Sequence, residues 1–145
     1  MLYRWGFLAV AALTAVFAGC DSRHSAAAFH LPAGDLDRGK VAFVNLGCSS
    51  CHEVPGADLP APSGPGVVPV RLGGVIDRRL SDGYVVASLL DPSYQLAPDN
   101  GNRIASGGKS PMPCYADKMT AQQMVDVVAF LQSRYMLRRW SPQYF

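Results

Sequence analysis

At 145 residues, 49% of them hydrophobic, the chain is long enough for one small domain with appendages. Its net charge of +2, with no long run of one sign, leaves no footprint for nucleic acid and excludes that class of partner.

Met1–Cys20 reads as a targeting segment outside the fold. Arg4 supplies a short positive start, and Trp5–Ala18 is an apolar run short of the ~20 residues that a bilayer-spanning helix needs. Its end, Val16-Phe17-Ala18-Gly19-Cys20, resembles a bacterial lipoprotein cleavage box, with Phe17 where Leu is commonest. That resemblance implies cleavage before Cys20, with diacylglycerol on its sulfur and an acyl chain on its new amine. Several chains anchor stably where one would not. The plainer readings are a secreted protein cut near Ala18-Gly19 and an uncleaved signal anchor. Residues 21–36, rich in Ser, Ala, Gly and Pro, read as a flexible linker with a reach of about 20 Å. His24 and His30 fall in it and are expected to be solvated.

The domain is expected over residues 37–137. Its first helix, Asp37–Gly47, is capped by Asp35 or Asp37, carries Val41, Phe43 and Val44 as apolar surface, and ends at Gly47. Gly39 and Phe43 share one face at i, i+4, where a small residue admits a crossing helix. Directly after it stands Cys48-Ser49-Ser50-Cys51-His52. C-x-x-C-H is the attachment sequence for c-type haem. Two thiols three positions apart reach the two vinyl groups on one porphyrin edge and form thioethers. The adjoining imidazole of His52 then lies beneath the iron and supplies an axial nitrogen.

Glu53–Pro69, crowded with Pro and Gly, reads as loop. Asp82–Leu90 reads as a helix capped by Ser81 or Asp82, with Val85, Val86, Leu89 and Leu90 inward and Pro92 as its stop. Tyr94–Pro111 is polar and irregular, and it leads into Ser110-Pro111-Met112-Pro113. Prolines on both sides stiffen an extended strap that can hold a soft thioether over a metal. Met119 and Met124 compete for that role. They occupy staple positions around a Thr120/Gln123 capping box, which gives both structural work. The last helix is expected over Ala121–Leu137, with Met124, Val127, Val128, Leu131 and Tyr135 on one face. Residues 138–145 form a basic, aromatic tail suited to lipid head groups, to a partner or to folding back. Cys114 is left without a partner and is expected to be a small buried side chain.

The order of a helix with Gly39 and Phe43, C-x-x-C-H, Gly64-Pro65, Leu72-Gly73-Gly74, Met112-Pro113 and a final helix resembles class I cytochromes c. Within that class it is closest to the small haem domains fused to subunit II of some bacterial terminal oxidases. The resemblance implies an all-α fold of three or four helices and long loops around one covalently bound haem. It implies Cys48 and Cys51 as haem attachments, His52 as proximal and Met112 as distal iron ligand. The carbonyl of Pro65 would accept from the other ring nitrogen of His52. With two haem propionates and without the export peptide, the holoprotein would carry roughly −1.

Both axial positions would then be filled, which suits one-electron transfer and leaves no coordination place for a substrate. The expected function is a lipid-anchored electron carrier rather than an enzyme, standing alone or as a subunit of an oxidoreductase complex. It would work on the periplasmic side of the cytoplasmic membrane, between a quinol- or substrate-oxidising complex and a terminal oxidase or reductase. An alternative is a haem protein with an open or displaceable distal site, acting as gas or redox sensor or as a small catalytic subunit. A third is a structural lipoprotein using C-x-x-C for a disulfide or zinc, for which four-ligand spacing is missing.

Overall fold

The computed structural model describes residues 29–63, 69–96 and 107–138. The export segment and Cys20, most of the linker, Gly64-Pro65 and the tail beyond Arg138 lie outside the described residues.

Three α-helices are present among the described residues: α1 (Leu36–Asn45), α2 (Asp82–Leu90) and α3 (Ala121–Gln132). Each begins at a side chain that satisfies an orphan backbone donor. Asp35 accepts from the Arg38 amide, and Ser81 accepts from that of Tyr84. Thr120 and Gln123 close a reciprocal capping box. Asp82–Leu90 forms with the bounds expected, although Leu90 turns outward beside buried Val85 and Leu89. Val41 is likewise exposed, and α1 buries Gly39, Ala42 and Phe43 instead.

The frame is the crossing of α1 on α3, the first and last helices. Phe43 and Phe130 meet at 5.8 Å between ring centroids, tilted by 58°, with Val127 and Val128 fully buried beside them. A tilted pair keeps ring edge against ring face, the arrangement the aromatic quadrupoles favour. Gly39 allows the approach. A Cβ on it would stand 2.0 Å from the carbonyl oxygen of Asp126 and 2.8 Å from the Phe130 Cβ.

Asp126 is the feature of this crossing that the apolar pattern did not show. It is 2% exposed and receives the Asp35 amide at 2.8 Å, the Arg38 Nε–H at 2.9 Å and the Gln122 amide at 3.0 Å. A buried carboxylate is tolerated when it is this fully hydrogen-bonded. The Arg38 hydrogen bond, then that from Asp35, holds its pKa down from 3.8 to about 2. A depressed folded-state value means that its stabilisation is present above about pH 4 and fades as pH falls towards about 2. Asp126→Asn is therefore expected to melt several degrees below the parent at neutral pH. The gap should close as both are taken down through that window by circular dichroism. A gap of constant size throughout would remove the carboxylate from the crossing.

Two expectations are corrected. The linker does not run to residue 36, because the Leu31 amide donates to Asp82 at 3.0 Å and Gly34 packs against the Val125 carbonyl. The fold thus begins ahead of α1. The last helix ends at Gln132, not Leu137. Tyr135–Leu137 (β4) pairs instead in parallel with Gly74–Ile76 (β3). Arg138 continues the pairing, its amide donating to Ile76 and its side chain meeting Asp77 at 2.8 Å. It belongs to the domain rather than to the tail. A second parallel pair joins His52–Glu53 (β1) to Val70–Arg71 (β2), so the expected loop is pinned at both ends.

Candidate functional site

The turn after α1 is built to present Cys48, Cys51 and His52. Gly47, at φ 75°, takes the left-handed conformation that a side chain would resist. It swings the chain from α1 into a tight helical turn, Cys48–Ser50. Ser50 Oγ donates back to the Gly47 carbonyl at 2.6 Å and fixes that turn. Cys48 faces inward and is buried, whereas Cys51 is exposed. Both are free thiols, as is Cys114.

His52 stands at the start of β1, its ring 6.4 Å from that of Phe43 between centroids. The helix crossing therefore backs the imidazole directly. Its Nδ1 lies 3.2 Å from the Val70 carbonyl. A carbonyl can only accept, so Nδ1 carries the proton and Nε2 is left with a free lone pair. Burial pushes the His52 pKa down, against the opposing effect of the Val70 hydrogen bond. A neutral imidazole with one nitrogen anchored and the other free is the form that binds a metal. Pro65, the expected acceptor, lies outside the described residues, and in the described structure Val70 fills that place.

These groups open onto a cleft of about 340 Å³. It is lined by Cys48, Cys51 and His52 from the turn after α1, by Val70 and Leu72, by Tyr84 and Ser88 of α2, and by Pro111-Met112-Pro113 with Tyr115. Met112 is thus brought to the same cleft as His52. Met119 and Met124 are not among its lining residues and pack partly buried against the core. Leu72 lines the cleft, while Ile76 sits in β3. Cys114 is exposed, its thiol donating to the Leu90 carbonyl at 3.0 Å, contrary to the expectation of burial.

Tyr115 is the site residue that sequence reasoning missed. It is buried, and its hydroxyl donates to the Leu46 carbonyl at 3.2 Å. Burial first, then the proximity of Cys48, pushes its pKa up to about 12, so it remains a donor at any ordinary pH. Burial also pushes the Cys48 thiol up, partly offset by a hydrogen bond with Tyr115. The signal for Tyr115 was its place three residues after Met112, on the same strap.

The donor set fits a porphyrin iron. Two thiols stand at one edge of an apolar cleft, with a neutral imidazole nitrogen and a thioether lining it. Among the described residues no three His, Cys, Asp or Glu side chains gather to hold a metal by themselves. No helix among them is long and apolar enough to cross a membrane. The family described as Cytochrome c matches residues 36–134. No curated protein and no solved structure matches the chain.

Proposed function

The chain belongs to the cytochrome c family, and from that premise we propose a single-haem electron carrier tethered to a membrane, with His52 and Met112 as its axial ligands. The family binds covalently attached haem c and transfers electrons through it. When bound, that group supplies a one-electron iron couple. The protein's residues do the rest. Cys48 and Cys51 would hold the ring by thioether bonds. His52, its Nδ1–H on the Val70 carbonyl, would offer Nε2 to the iron. Met112 would offer a soft sulfur, which favours reduced iron and raises the potential. Val70, Leu72 and the two strap prolines line the cleft and would keep water from the ring, so that little solvent reorganises when charge arrives or leaves.

The observation that carries this reading is that Cys48, Cys51, His52 and Met112 line one apolar cleft. Filled axial positions favour relay over substrate chemistry. The lipoprotein-like box ending at Cys20 supports a lipid anchor on the periplasmic side of the cytoplasmic membrane. The partners are proposed to be a quinol- or substrate-oxidising complex on the donor side and a terminal oxidase or reductase on the acceptor side. The likeness in motif order to the haem domains of oxidase subunit II supports that placement.

The mass of the mature protein, purified from membranes and denatured, tests attachment and anchoring together. The expected value is the chain from Cys20 plus one haem plus the acyl chains. Haem released on denaturation would refute attachment at Cys48 and Cys51. An unmodified Cys20 would refute the anchor and leave the carrier standing.

A further inference from the structure

The strap that carries Met112 is tied unevenly. Among the described residues, three of its hydrogen bonds run to the end of α2 and the turn after it. The Ser110 amide donates to Ser93 Oγ at 3.1 Å, the Cys114 thiol to the Leu90 carbonyl at 3.0 Å, and the Tyr115 amide to the Leu89 carbonyl at 3.0 Å. All three fasten the strap to α2 or the turn after it. The Tyr115 hydroxyl instead reaches the Leu46 carbonyl at 3.2 Å, two residues before Cys48.

We infer that the Tyr115 hydroxyl is a positioning group, which clamps the Met112 strap to the cysteine-bearing turn and so keeps the thioether on the iron. The inference rests on Met112 being the distal ligand. A strap fastened only along α2 is free to lean outward with that edge. A fourth bond, to the segment after α1 and three residues from Met112, closes it like a second hinge pin. The tyrosine ring is buried, and deleting its hydroxyl removes this donor from the Leu46 carbonyl.

The test uses the oxidised holoprotein and imidazole as an external ligand that must displace the thioether to bind. Tyr115→Phe keeps the ring and deletes the hydroxyl. The variant is expected to retain the sulfur–ferric charge-transfer band and to bind imidazole about three- to tenfold more tightly than the parent, the scale of one net hydrogen bond. Imidazole affinity equal to the parent's overturns the inference, even if the melting temperature falls, because a purely structural role lowers stability without favouring the competitor. Met112→Ala, titrated in parallel, separates the two claims. If it opens the iron to imidazole while Tyr115→Phe does not, the clamp alone is refuted. If Met112→Ala changes neither band nor affinity, the ligand assignment is refuted and the clamp with it.

Discussion

Met112→Ala is expected to abolish the long-wavelength sulfur–ferric charge-transfer band and to lower the reduction potential on the order of 0.1–0.2 V. That is a modest part of the ~0.8 V range over which axial ligands move haem iron. The direction follows from ligand softness, since a thioether stabilises the ferrous state that its loss leaves less favoured. Haem should remain attached, because thioether bonds at Cys48 and Cys51 do not involve Met112. The reduced variant should bind carbon monoxide readily, and the parent should not. Spectroelectrochemistry and a carbon monoxide titration of both proteins decide the matter. An unaltered band and midpoint would take Met112 off the iron. Ready binding of carbon monoxide by the parent would favour the sensor or catalytic reading over the carrier.

The second large effect concerns stability. Gly39→Ala is expected to cost about 3 kcal/mol, the upper end of what overpacking a core incurs. The new methyl would meet a backbone carbonyl at 2.0 Å, and a backbone atom cannot rotate aside as a side-chain tip can. Relief requires α1 and α3 to separate, which loosens Phe43 from Phe130 and pulls the Asp35 and Arg38 donors from Asp126. For a domain near 100 residues this corresponds to a fall of roughly 12–24 °C in melting temperature. Thermal unfolding of the holoprotein measures it, and a fall of less than about 5 °C would show that the crossing relaxes without cost. Because Phe43 backs the His52 ring, the spectrum of the variant should also respond before unfolding.

Much of this arrangement was legible in local sequence. The helix starts were written in Asp35, Ser81 and Thr120, whose side chains cap within three residues and need no distant partner. C-x-x-C-H and the Pro-flanked Met112 named chemistry by residue type and spacing. What escaped was non-local. The end of α3 was misplaced because Tyr135–Leu137 continue a helical apolar period, and only β3, some sixty positions away, offers the competing ladder. Asp126 breaks the apolar pattern of its helix and looks like a solvent-facing residue until Arg38 and Asp35 are brought across. The Val70 carbonyl could not be singled out at all, since every residue carries one and only the β1–β2 register sets this one against His52. Tyr115 could have been suspected from its nearness to Met112, but its hydroxyl acquires meaning only when the chain returns to Leu46.

The pairing of Arg38 with Asp126 spans 88 positions and closes a fold whose locking helix is made last. Joining segments so distant delays completion, because a long disordered span must be closed before any contact repays it. Until α3 packs on α1, Phe43 lacks Phe130 and the turn bearing Cys48 and Cys51 has no fixed frame behind it. Before that crossing forms the polypeptide is therefore slack, its two sulfurs accessible from either flank. A bulky, flat molecule meets the least obstruction in that interval, and bonding it early would supply the nucleus around which the two ends find each other.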